Sequence, residues 1–234
     1  MLIAILNKSS VANADVATMT EAIATQIQFD VAPAWDRAPA AVVLYTDPTA
    51  VPPAAHGVTI VDTIDNQPQG VLGFHTEDTS AQMWGVVAAQ PELTNNGQVL
   101  TGDWSVSSTL SHEVLEIFIN PSCNLWASDG KGSFYSLEVC DPVEAPTYTV
   151  SGVSVSNFVT PSWFDPQAPA GAQFDKLGQL TAGFSILPGG YMAYASKGKE
   201  QEQWGSNYPA WRKAMKTGPT AHSRLQAIQA SWHM

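Results

Sequence analysis

Charge is scarce in this chain, and positive charge most of all. Only 10 of its 234 residues are Lys or Arg, against 21 Asp or Glu, for a formal net charge of −11. Nucleic-acid binding needs clustered Lys and Arg to meet phosphates, so a nucleic-acid partner is not expected. Charged residues of both signs reach only 13%, which leaves Ser, Thr, Asn, Gln and the backbone to supply most of the polar surface. Cysteine is scarce too. Cys123 and Cys140 are the only two, too few for a disulfide framework; a single bridge and two buried thiols both remain open. Long apolar runs are lacking as well. Residues 1–6 are apolar, but Asn7 and Lys8 interrupt them and no basic region precedes them. They read as a strand, neither a signal peptide nor a membrane span. The expectation is therefore no membrane partner, and a place in the cytoplasm or in a virion.

Apolar residues are plentiful, at 44%, and the length suits one large domain or two small ones. Residues 1–7 form a first strand. Asn13 offers an N-cap and Asp15 an acidic first turn, and Val16, Met19, Ile23 and Ile27 recur at helical spacing, so a helix is expected over 14–28. Strands are expected at 29–31, 42–45, 58–62, 70–75 and 83–88, with Pro-rich connections between the earlier ones. A second helix starts near Gly102 or Ser105 and runs to Ile119, where Asn120-Pro121 ends it. Beyond it, residues 134–140 read as a strand stopped by Asp141-Pro142. Residues 148–150 and 153–155 form a hairpin around Ser151-Gly152, and 161–172 make an ordered loop or lid. An apolar segment over 184–195 is broken by Pro188-Gly189-Gly190, and a helical pattern runs over 209–232. This order predicts an α+β fold with a mixed sheet and a less regular C-terminal lobe. The expected division is a sheet-and-helix lobe over 1–120 and a second lobe over 121–234, or one continuous domain.

The chemistry concentrates in Ser111-His112-Glu113-Val114-Leu115-Glu116. On a helix, positions i and i+4 share a face, so His112 and Glu116 project together. Two such ligands grip an ion from one side, and carboxylate oxygen is an acceptable zinc ligand. An adjacent glutamate, Glu113, is placed to act as general base on a metal-bound water. A third ligand is expected from the segment Ser136-Leu137-Glu138-Val139-Cys140-Asp141-Pro142. Asp141 is favoured because a strand end has more freedom to turn inward; Glu138 is the alternative, and Cys140 a further one. One histidine with two carboxylates leaves a Zn²⁺ site near neutral. If Glu138 and Asp141 both approach, the oxygen-rich site suits Ca²⁺ or Mn²⁺ better. The bland reading of the same residues is a polar stripe on a half-exposed helix. Tyr191 and Tyr194, near Gly189-Gly190, are phenols that can stabilise an oxyanion or simply pack in the core.

The pair of motifs Ser-His-Glu-Val-Leu-Glu with Asn-Pro, then Leu-Glu-Val-Cys-Asp-Pro, resembles a zincin-like group of bacterial and phage proteins. Leu72-Gly73-Phe74-His75 and the stretch from Val155 to Pro161 add to the resemblance, which covers about residues 70–165. It implies a zincin-like metallopeptidase fold, and a cleft-edge strand at Gly73, Phe74 and His75 that binds an extended peptide or protein substrate by strand addition. Glu116 stands where such peptidases carry a second histidine. A non-catalytic structural protein of a phage particle or other assembly is the other expectation.

Overall fold

The computed structural model describes residues 1–64, 73–77 and 83–208, with residues 73–77 described by their backbone. The expected C-terminal helix over 209–232 and residues 70–72 of the expected strand lie outside the described residues. The chain order is β1 (Leu2–Asn7), α1 (Asn13–Gln26), a wide π-helical turn (Ile27–Val31) and a short α2 (Ala32–Ala34), then β2 (Ala41–Tyr45), β3 (His56–Val61), β4 (Gly73–Glu77) and β5 (Met83–Ala88). The helices α3 (Ala89–Thr94) and α4 (Val106–Ile119) follow. Next come β6 (Trp126–Ser128), β7 (Ser133–Ser136), β8 (Thr147–Val150), β9 (Val153–Ser156), β10 (Tyr191–Ser196) and β11 (Lys199–Trp204).

The first five strands make one sheet in the order β2-β1-β3-β5-β4. Every pairing in it is parallel except the last, where β4 runs antiparallel to β5, from Gly73 opposite Val87 to Glu77 opposite Met83. Successive strand residues alternate faces. Ile3, Ile5, Val58, Ile60, Met83 and Val87 accordingly share one buried cluster with Val16, Met19 and Ile23 of α1 and Leu110, Val114 and Ile117 of α4. The second sheet, β11-β10-β7-β6, is antiparallel, and β8 and β9 form a separate hairpin. Mixed α/β architecture with a largely parallel sheet accords with the α+β expectation. The core cluster takes residues from both sides of residue 120, including Val139, Val143, Val155 and Phe158.

Three expected elements differ from those observed. Residues 29–31 are not a strand: the helix widens into a π turn and continues into α2, with Trp35 N donating to Val31 O. Pro33 falls within this continuing helical run and brings no N–H donor to it. Asn13 is the first helical residue, not the cap; its Oδ1 accepts from Asn7 Nδ2 instead. The strand expected over 134–140 pairs only as far as Ser136. The chain then turns into a 3₁₀ helix at Asp141–Val143, so strand alternation does not set the directions of Glu138, Cys140 and Asp141.

Helix α4 is the axis of the molecule, and all fourteen of its residues are buried. Ser105 begins it in a capping box: Ser108 N donates to Ser105 Oγ and Ser105 N donates to Ser108 Oγ, which satisfies two terminal donors reciprocally. At the other end Arg37 Nη1 donates to the carbonyls of Phe118 and Ile119, each at 2.9 Å. A cation there completes the orphan carbonyls and opposes the helix dipole. Total burial rules out the half-exposed polar stripe, and each polar side chain on α4 then needs a partner.

Candidate metal centre

Two serines fix the rotation of α4. Ser107 Oγ donates to Ser154 O at 2.8 Å, and one turn later Ser111 Oγ donates to Gln26 Oε1 at 2.7 Å while accepting from Ser156 N at 3.1 Å. Gln26 Nε2 in turn donates to Ser156 O at 2.8 Å. The helix is thereby bonded to β9 and α1 along its serine face. A residue step rotates about 100° around a helix, so holding Ser111 against β9 sends His112 to the neighbouring side, toward residues 137–144.

That segment is held by the rest of the fold. Leu137 N donates to Leu125 O, and Val159 N, just past β9, donates to Val139 O. The β8–β9 hairpin that carries Val159 turns through Ser151 at φ 51° and Gly152 at φ 84°. Two successive left-handed residues make the tight turn whose twist matches paired strands, so the Ser151-Gly152 expectation holds. Cys140 N donates to Glu116 Oε1 at 3.3 Å. The turn that carries Asp141 therefore also orients the carboxylate of Glu116.

His112, Glu116 and Asp141 converge. His112 Nε2 lies 3.1 Å from Asp141 Oδ1 and 3.3 Å from Glu116 Oε1, and one ligand atom from each of the three lies within 4.8 Å of the others. The side chains are buried: 8% of His112, 2% of Glu116 and 1% of Asp141 is exposed. With a proton on the imidazole these contacts are hydrogen bonds. With an ion between them they have the spacing of coordination edges, since two ligands about 2.0–2.1 Å from a tetrahedral zinc sit about 3.3 Å apart. The group can hold a metal ion.

The electrostatics point the same way. Burial alone would lower the affinity of His112 for a proton, but Glu116 and Asp141 outweigh it and hold the imidazole well above its ordinary range. Burial first, and then Asp141, push Glu116 up to about 8. The thiol of Cys140 is pushed well up as well, by burial and then by Glu116. Among the described residues, Glu92, Glu113, Glu116, Glu138, Asp141 and Glu144 are all buried, while no Lys or Arg is. A region this rich in buried carboxylates and this poor in basic groups favours a bound cation or proton.

Glu113 is buried beside this cluster on α4, 5% exposed. Glu138 is buried too; its Oε1 accepts from Ser136 Oγ at 3.2 Å, and its charge helps raise Glu116. The triad itself takes Asp141 and not Glu138 or Cys140. Gly73, Phe74 and His75 lie on β4, the antiparallel edge strand of the sheet. The tyrosines lie on β10, which packs against the 3₁₀ turn that carries Asp141. Tyr194 stacks on Tyr135 and its hydroxyl donates to Gln201 Oε1 near the surface, while Tyr191 stacks on Trp204 and meets Tyr208 edge-on. Cys123 and Cys140 form no disulfide. No described helix is long and apolar enough to cross a membrane.

The serine clamp of Ser107, Ser111 and Gln26 is a part of the site that the sequence reading passed over. Ser107 and Ser111 stand one turn apart on α4, but the helix also carries Ser108, Thr109, His112, Glu113 and Glu116, so their spacing alone does not single them out. Comparison with family models, with curated proteins and with solved structures finds no match for this chain.

Proposed function

We propose that this protein is a zinc-dependent, metallopeptidase-like hydrolase of zincin-like fold. The observation that carries the reading is the convergence of His112, Glu116 and Asp141 within ligand spacing of one another, next to a further buried glutamate. In this reading the three side chains hold Zn²⁺; Ca²⁺ or Mn²⁺ is the alternative ion, should Glu138 join them. A bound zinc supplies Lewis acidity that polarises a carbonyl and acidifies water. Glu113 accepts the proton of the attacking water and returns it to the leaving amine. An extended peptide or protein substrate adds to the outer side of β4, through Gly73, Phe74 and His75, whose antiparallel direction at the sheet edge supports strand addition.

The experiment is metal analysis of the purified protein followed by peptide-library cleavage, with Glu113→Gln as the diagnostic variant. Zinc is expected to bind to both proteins, with cleavage lost by about a hundredfold or more in the variant, the range of a general base. Protein that binds no transition metal, or a variant that cleaves like wild type, overturns the reading.

A second reading rests on the depth of the triad, of which only a few per cent is exposed. In it the ion staples α4 to the Asp141 turn without turnover, and the protein is a structural component of a phage particle or another assembly. Chelation then lowers the melting temperature with no activity to lose.

A further inference from the structure

We infer that Gly189 and Gly190 are positioning residues for the metal centre: they form a platform of bare backbone that sets the place of Asp141. The inference rests on the metal reading above. The turn Leu187-Pro188-Gly189-Gly190 leads into β10 and lies flush against residues 141–145. Leu187 N donates to Pro142 O at 2.9 Å, and Gly190 N donates back to Leu187 O at 2.9 Å, which tightens the turn. A Cβ on Gly190 would fall 2.2 Å from Pro142 O and 2.9 Å from Asp141 O. A Cβ on Gly189 would fall 2.3 Å from Ala145 Cβ. Neither distance is tolerable between non-bonded heavy atoms, so any side chain here displaces the Asp141 turn or its support.

The platform is itself anchored from behind. Gly205 N donates to Gly190 O at 2.8 Å, and Asn207 N donates to Pro188 O at 2.8 Å. The second sheet, through the chain leaving β11, thus braces the platform, and the platform braces Asp141. A carboxylate ligand needs its donor atom held within a few tenths of an ångström, and groups that orient ligands are worth about ten- to a hundredfold in metal affinity. Neither glycine has a side chain to offer an ion. The effect on affinity runs entirely through where Asp141 sits.

The two glycines differ in a way that provides a rescue. Gly190 meets backbone, which no substitution can remove. Gly189 meets chiefly a methyl group, and the nearest atoms behind that methyl are Ala145 Cα at 3.6 Å and Ala145 N at 3.9 Å, ordinary contact distances. Gly189→Ala combined with Ala145→Gly therefore restores the fit.

The test titrates wild-type protein, Asp141→Ala, Gly189→Ala, the Gly189→Ala/Ala145→Gly pair and Gly205→Ala with Zn²⁺ alone, at a temperature where each is folded. The visible spectrum of the Co²⁺ form is recorded in parallel, because it reports ligand geometry. Gly189→Ala is expected to weaken Zn²⁺ binding about tenfold or more and to change the Co²⁺ bands, and the pair to return both to near wild type. Gly205→Ala, whose Cβ would strike Leu187 O and Pro188 O at 2.3 Å, serves as a comparison one layer further out, with a smaller effect on affinity than on melting temperature. A folded Gly189→Ala with wild-type affinity and spectrum overturns the inference, as does a folded pair that fails to recover either. Should Gly189→Ala not fold, the pair decides alone against Gly190→Ala, for which no rescue exists. Wild-type protein that binds neither ion, or Asp141→Ala that binds both unchanged, overturns the metal reading itself and the inference with it.

Discussion

Replacing Ser111 by alanine tests whether the serine face of α4 fixes the orientation of the metal ligands. The hydroxyl donates to Gln26 Oε1 and accepts from Ser156 N, and Ser111 and Gln26 are wholly buried, with Ser156 2% exposed. Alanine removes both bonds and leaves an amide oxygen and a backbone N–H dry and unpaired. Each such orphan costs about 1–3 kcal/mol, so the loss is roughly 2–4 kcal/mol after partial relaxation. For a chain of this length each kcal/mol moves the melting temperature by about 2–4 °C, which places the expected fall at about 4–16 °C. Thermal or urea unfolding in a chelator measures it without contribution from an ion. A double cycle with Gln26→Leu then isolates the pair: the two changes should be less than additive by about 1 kcal/mol or more, because they break a shared network. A fall below about 1 °C, or strict additivity, would refute the claim that this clamp holds α4 in place.

Other outcomes follow from the same contacts. Zinc at a hundredfold excess over its dissociation constant is expected to stabilise the protein by about 2.7 kcal/mol, read as a rise in melting temperature that disappears in His112→Ala. Without metal, stability is expected to fall as pH rises. Folding raises the proton affinity of His112 and carries Glu116 to about 8, so the stabilisation is complete below their unfolded values and is lost as pH rises through the folded ones, at about 8 for Glu116 and above the ordinary imidazole range for His112. Because an ion must displace these protons, the zinc-induced shift in melting temperature should grow over that same window, and a shift independent of pH would count against this ligand set. Arg37→Ala should cost about 1–2 kcal/mol in denaturant unfolding by exposing the last carbonyls of α4.

How much of this was legible beforehand depends on the range of the interaction involved. The boundaries of α4 could be read because a capping serine and Asn120-Pro121 act locally. The pairing of His112 with Glu116 could be read because it follows from helical period alone. The choice of Asp141 over Glu138 depended on a turn, and the expected strand would have set these side chains by alternation. The chain instead leaves β7 at Ser136 and is tied off by Leu125, Val159 and Leu187, which come from three separate parts of the sequence. No local pattern announces such ties. The misread strand at 29–31 has a related cause: Phe29 and Val31 have strand propensity, but Ile27 and Val31 are buried against the core on a continuing helix, and tertiary packing overrode local preference. The clamp residues escaped notice because a serine in a helix carries no signal until its partner is known.

The ligand set also bears on which of the two readings holds. Glutamate at position 116 places a second anion where a neutral imidazole would leave the ion more positive, and the ion's power to acidify water falls accordingly. The same carboxylate strengthens the case for an ion as a structural element. Glu116 and Asp141 are nearly wholly buried within one cluster that has a single imidazole to offset them. An ion that neutralises both carboxylates removes a repulsion the fold otherwise relieves by taking up protons. Loss of the ion should therefore loosen the Asp141 turn more than it loosens the parallel sheet, whose core needs no charge compensation. Hydrogen exchange at the backbone amides of Val139, Cys140 and Val143, compared with Ile5 and Val58, reads that difference directly. Selective loss of protection in chelator at the first three is the expected result, and equal loss at all five would mean that the ion acts on the whole fold and not on this turn.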